Sequence, residues 1–171
     1  KYCFLKPSGL EFDEVALQDD FEKFADDLLV NDTDTFLYRD FNARNVMVKD
    51  GEPYLIDFQG GRRGPVFYDV ASFAWQARAK FSDFQKEMML RAYLEAYSQY
   101  SSMDEQEFRS SLRLFVLFRF LQVLGAYGFR GWVEHKANFV TSIPAAISEL
   151  KAWLADPSDR YPYLMETLRR L

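Results

Sequence analysis

A chain of 171 residues, 49% hydrophobic and 27% charged, is long enough for one folded domain, too short for two of ordinary size, and too apolar for a disordered segment. Asp and Glu outnumber Lys and Arg by 26 to 21, and the resulting net charge of −5 disfavours a general nucleic-acid binder. One cysteine (Cys3) and one histidine (His135) exclude an internal disulfide, a cysteine-rich zinc site and a histidine-based metal cage.

Leu17, Phe21, Phe24 and Leu28 recur at helical spacing, which predicts an amphipathic helix over 14–30, ended by Asn31-Asp32. The acids Asp19, Asp20, Asp26 and Asp27 read as its solvated face. A short apolar run, Phe36-Leu37-Tyr38, leads into a polar loop from Arg39 to Asn45. Val46-Met47-Val48 and Tyr54-Leu55-Ile56 then flank Asp50-Gly51, a β-hairpin signal. Gln59 to Pro65 reads as a glycine-rich surface loop; it lacks the Gly-Lys-Ser/Thr ending of a phosphate-binding loop.

Helices are predicted beyond it. They cover 68–80, then 82–97 with Ser82 and Gln85 in a capping box. A third runs from about Ser102 to Tyr127, a fourth starts at Pro144, and a last covers 161–171. The third is apolar nearly all round from Leu112 to Leu124 and is expected to be the central buried helix. Arg119 and Gln122 interrupt its most apolar run, Leu114 to Phe129, which reads as too short and too polar to span a membrane. With no signal-peptide pattern visible, a cytoplasmic location and no membrane partner are expected. Cys3 and the rings of Tyr127, Phe129 and Trp132 read as packing, and His135 as a helix-surface residue.

The chemistry concentrates in one segment. Asp40 and Asn45 share the polar loop, and Asp57 ends the strand that returns from the hairpin. A hairpin lays its second strand beside its first, so Asp57 is carried back toward Asn45 and Asp40. Oxygen donors without His or Cys suit Mg²⁺, which takes one or two protein carboxylates and completes its shell with water and phosphate. Arg39 and Arg44 flank the pair and either meet phosphate or pair with a neighbouring carboxylate. Arg62 or Arg63 faces an anionic ligand or solvent.

Tyr38-Arg39-Asp40-Phe41-Asn42-Ala43-Arg44-Asn45, followed by Ile56-Asp57-Phe58, resembles the catalytic loop and metal-binding element of protein-kinase-like phosphotransferases. Ile56-Asp57-Phe58 and Asp69-Val70-Ala71 are similar to the aminoglycoside phosphotransferase branch. Within that branch, the Arg-Asp-Phe loop and Asp-Phe-Gln59 resemble the bacterial anomeric kinases of cell-wall amino sugars. The resemblance implies that Asp40 orients the acceptor hydroxyl and takes its proton. It implies that Asn45 and Asp57 hold Mg²⁺, with Asn45, Asp57 and Arg44 on the side of the ATP or other nucleoside triphosphate. Asp69 would brace the loop backbone. Tyr38 replaces the family's usual His, and Asn42 and Gln59 stand where protein kinases carry Lys and Gly.

The fold expected is α+β and mostly helical, with 1–171 as a single domain. It would be the C-terminal lobe of a protein-kinase-like fold, its small hairpin adjoining the catalytic loop. Nothing before Leu17 is long enough to form an N-terminal lobe, so that lobe is expected elsewhere in a larger protein. The function expected is transfer of phosphate from ATP to a hydroxyl of a sugar or amino sugar. The alternatives are an aminoglycoside-modifying kinase, a non-catalytic nucleotide-binding regulatory module of the same fold, and a helical interaction module without ligand.

Overall fold

Asp13 starts the first helix, α1 (Glu14–Leu29), by accepting hydrogen bonds from the backbone N–H groups of Val15 and Ala16. A computed structural model describes residues 1–31, 33–156 and 160–171. Its contacts gather into two units, Lys1–Val30 with Leu117–Leu171, and Asn31–Val116. The predicted end of α1 at Asn31-Asp32 falls in part outside the described residues, since Asp32 is not among them.

Among its described residues, the Asn31–Val116 unit holds four short strands: β1 (Thr35–Leu37), β2 (Val46–Lys49), β3 (Glu52–Leu55) and β4 (Arg62–Gly64). β2 and β3 form the expected hairpin, antiparallel, with Val46 opposite Leu55 and Lys49 opposite Glu52. Asp50 and Gly51 turn it with φ of 54° and 83°. Two consecutive positive φ values are what a two-residue hairpin turn of the favoured twist requires. The glycine-rich stretch is not only a loop. Its residues 62–64 form β4, which pairs with β1 so that Leu37 faces Arg62 and Thr35 faces Gly64.

Helix α2 (Phe67–Ala74) is shorter than the predicted 68–80. It stops because Gln76 folds back and donates to the Phe73 carbonyl, satisfying one of the orphaned helix-end acceptors. Helix α3 (Asp83–Tyr97) carries both hydrogen bonds of the capping box between Ser82 and Gln85. Helix α4 (Glu105–Gly128) starts later than predicted, because Asp104 supplies the cap to Gln106 and Glu107. Phe67 stacks on Phe115, and Tyr93 stacks on Phe108. Burial in this ring cluster pushes the Tyr93 phenol up to about 12. A second stack runs Phe41, Phe73, Phe81 and ties the polar loop to α2.

On this unit's surface Glu87 accepts from Arg109 and Arg91, and Arg109 also pairs with Glu105. Chiefly the Arg109 hydrogen bonds hold the Glu87 carboxyl at about 2, below its ordinary 4.5. A depressed carboxylate stabilises the fold above its unfolded value and loses that contribution as pH falls through its folded value. The stability gap between wild type and Arg109→Met is therefore expected to be full near neutrality. It should narrow between about pH 4.5 and about pH 2, read as the difference in urea midpoints.

In the other unit, α1 packs against α7 (Pro162–Arg169), and α6 (Ile143–Leu154) packs against α7 too. Leu17, Phe24, Leu150, Tyr161, Leu164 and Leu168 are buried there. The acids of α1 are not all solvated, which corrects the sequence reading. Asp20 is only 3% exposed and accepts the Leu164 N–H at 2.9 Å. That places a carboxylate at the N-terminus of α7, where the helix dipole favours an anion. Asp27 accepts the Tyr161 hydroxyl and pairs with Arg160 at 2.8 Å.

Cys3 is exposed rather than packed, and its backbone explains why the last residue of α4 is glycine. A Cβ on Gly128 would sit 2.0 Å from the Cys3 carbonyl oxygen. A π-helical turn, Phe129–Val133, continues α4, and Trp132 stacks on Phe4 at 5.2 Å. The helical run Glu105–Val133 spans 29 residues and holds an 18-residue stretch with a mean hydropathy of 1.4, long and apolar enough to cross a membrane by length and composition alone. The reading of Leu114 to Phe129 as too short and too polar does not hold, by length and composition, for the helix that contains it. Phe108, Leu112, Phe115 and Val116 are buried in one unit and Leu117, Phe120 and Leu124 in the other. His135 is exposed with φ of 55°, so it is not a helix-surface residue. The short α5 (Ala137–Val140) that follows has no counterpart in the sequence reading.

Candidate functional site

The site is built on the loop from Arg39 to Asn45, and α2 organises it. Asp69, in the first turn of α2, accepts the N–H of Tyr38 at 2.5 Å and of Arg39 at 2.9 Å. Those are the bonds expected of Asp69 from sequence. They hold Arg39 at φ of 74°, in the left-handed region where a non-glycine residue costs of order 1–3 kcal/mol. The chain reverses there, and the side chain of the next residue, Asp40, is exposed.

Asp40 is fixed through its backbone and not its carboxylate. Its carbonyl accepts from the carboxamide Nδ2 of Asn42 and of Asn45, each at 2.8 Å. Asn45 closes the single 3₁₀ turn Ala43–Asn45 and is 5% exposed. With its Nδ2 committed to Asp40, its Oδ1 carries no hydrogen bond among the described residues. The Asn45 carbonyl accepts the Ile56 N–H at 3.0 Å, which brings the residue before Asp57 against the loop. Asp57 is exposed, with φ of 67°, and its Oδ1 accepts from Gln59 Nε2 at 2.6 Å.

Tyr38 ties the two halves together by donating its hydroxyl to the Ile56 carbonyl. Burial first, and then the carboxylates of Asp57, Asp40 and Asp69, raise its phenol above the ordinary value. It therefore stays a proton donor at neutral pH. Three acids acting on one buried ring also show how much negative charge gathers here. The Asn45 side chain thus binds the Asp40 carbonyl, and the Asn45 carbonyl binds Ile56, the residue before Asp57. Gly60 lies beside Asp40: a Cβ on it would be 3.6 Å from Asp40 Oδ2. Arg39 Nη1 donates to the Gly60 carbonyl at 3.3 Å and holds that neighbour in place.

The arginines divide. Arg63 pairs with Asp34. Arg44 and Arg62 are exposed, and neither makes a hydrogen bond or ion pair among the described residues. Among the described residues no three His, Cys, Asp or Glu side chains cluster to cage a metal. The site offers instead one carboxamide oxygen, on Asn45, and one carboxylate oxygen, on Asp57, that the protein leaves free. Hard oxygens of this kind fit the donor set of Mg²⁺. Tyr38 to Ile56, Arg39 to Gly60 and Gln76 were missed from sequence, and no local pattern signals them.

Residues 7–105, more than half of the chain, match the family model described as phosphotransferase enzyme family. An N-acetylmuramate/N-acetylglucosamine kinase of Neisseria meningitidis serogroup B is 26% identical over 119 residues, which is 68% of this chain and 36% of that protein. The chain therefore spans about a third of the length of the curated relative it matches.

Proposed function

The chain belongs to the phosphotransferase enzyme family, and from that premise we propose that it is the catalytic lobe of an ATP- and Mg²⁺-dependent kinase whose acceptor is a hydroxyl of an N-acetylated amino sugar. The observation that carries this reading is the convergence of Asp40, Asn45 and Asp57 through the Asn45 and Ile56 hydrogen bonds. The name of the Neisseria relative supports the acceptor class.

In this reading Asp40 orients the acceptor hydroxyl and takes its proton. Its carboxylate is exposed and its carbonyl is held twice, so the side chain faces incoming ligand from a fixed base. Asn45 Oδ1 and the Asp57 oxygen not engaged by Gln59 would hold the cation. Magnesium, when bound, neutralises charge on the nucleotide phosphates. Arg44, exposed beside them, would meet the same phosphates. Little covalent chemistry is asked of the protein; positioning and charge supply the rate. Large apolar residues on and around the hairpin (Met47, Val48, Tyr54, Leu55 and Phe58) are exposed. That supports the further reading that an N-terminal lobe of the same protein covers this side and completes the nucleotide site.

The test is sugar-dependent ADP release by the full-length protein with Mg²⁺ and ATP, over N-acetylated hexosamines and a panel of aminoglycosides. Release with the hexosamines is expected. Turnover with aminoglycosides alone would replace the acceptor, and ATP binding without turnover on any acceptor would favour the regulatory module.

A further inference from the structure

Asp69 grips the loop just before Asp40, and a second side chain from the same helix region grips it just after. Gln76 lies two residues beyond α2 and is half-buried. Its Oε1 accepts the Ala43 N–H at 3.1 Å, and its Nε2 donates to the Phe73 carbonyl at 2.8 Å. The second bond orients the first, because an amide whose nitrogen is spent on a helix-end carbonyl turns its oxygen the other way. Ala43 opens the tight turn that delivers Asn45, whose own N–H goes to the Asn42 carbonyl at 3.0 Å. Asn42 and Asn45 in turn hold the Asp40 carbonyl. Ala43 thus sits at the centre of a small closed set of bonds, and Gln76 ties that set to α2 from outside.

We propose that Gln76 is a positioning residue, which by pinning Ala43 fixes the spacing between the Asp40 carboxylate and the Asn45 carboxamide. The proposal rests on the phosphotransferase reading of those two groups. Gln76 contacts the loop backbone and not the Asp40 carboxylate, so its effect is one of placement. Misplacing a reacting group by about 1 Å costs up to about 10²-fold in rate. Removing the pin should therefore lower kcat by about 10- to 100-fold while leaving KM for the sugar close to wild type.

The experiment compares Gln76→Leu, Gln76→Asn and Gln76→Glu in the full-length protein, reading both amide hydrogen exchange and kinetics. Leu removes both bonds, Asn is too short to reach Ala43, and Glu keeps an acceptor for Ala43. Faster exchange confined to residues 41–45 is expected in the Leu and Asn variants, with kcat reduced and KM for the sugar unmoved. Glu, which keeps the acceptor but loses the donation to Phe73, should restore part of the protection and part of kcat. Unchanged exchange over 41–45, or faster exchange with unchanged kcat, would overturn the proposal. If Leu opens the whole fold, Asn decides on the same criterion. If wild type transfers no phosphate, exchange that stays unaltered ends both ideas, whereas faster exchange over 41–45 keeps the pin and ends only its catalytic meaning.

Discussion

Asp40→Asn is expected to lower turnover by about 10²–10⁴-fold, the usual contribution of a positioned proton acceptor. The thermal midpoint should not move. Asp40 is exposed, and the two hydrogen bonds that fix it run to its backbone carbonyl, which the substitution leaves intact. Asn fills the same volume beside Gly60 but offers a neutral oxygen where a carboxylate stood. The loss should fall on kcat, with KM for ATP close to wild type, because the groups assigned to nucleotide and cation are Asn45, Asp57 and Arg44. Steady-state kinetics on the hexosamine identified as substrate checks this. Turnover within about threefold of wild type would remove Asp40 from the chemistry, since it is far below what a general base contributes. The family assignment would still stand, because it rests on residues 7–105 as a whole.

What could be read in the sequence was whatever a short stretch of chain decides for itself. The hairpin was legible because Asp50-Gly51 is turn chemistry that works without help from the rest of the fold. The return of Ile56, next to Asp57, to the Asn45 carbonyl followed from that hairpin. The capping box at Ser82 was legible for the same local reason. Failures occurred where a distant partner decided the outcome. Asp20 looks like one more acid on a solvated helix face; its burial depends on Leu164, 144 residues away. β4 hides in a run of glycines and arginines, and becomes a strand only because β1 offers it an edge. The end of α2 is set by one side chain folding back, and Gln carries no strong signal for or against a helix. Arg39 adopts positive φ, a conformation that its residue type does not announce.

Replacing Asp69 should damage both the fold and the site, and two variants separate the causes. Asp69→Ala strips the acceptor from two backbone N–H groups at once, those of Tyr38 and Arg39. Each part-buried donor left unpaired costs about 1–3 kcal/mol, so a loss of about 2–4 kcal/mol is expected once partial access to water is allowed for. Arg39 then has no reason to keep φ of 74°. Its relaxation toward an ordinary conformation recovers part of the stability and displaces Asp40, the next residue. Asp69→Asn keeps one oxygen acceptor but turns an NH₂ group toward the second N–H, so it should lose less stability than Ala. The two variants should nevertheless be similarly poor in turnover, because either one releases the reversal at Arg39. Urea denaturation and kcat measured on both decide the matter. Activity that simply tracks the remaining stability would mean Asp69 only holds the unit together. Activity lost in Asp69→Asn well beyond its stability cost would mean that the strained turn at Arg39 is what aims Asp40.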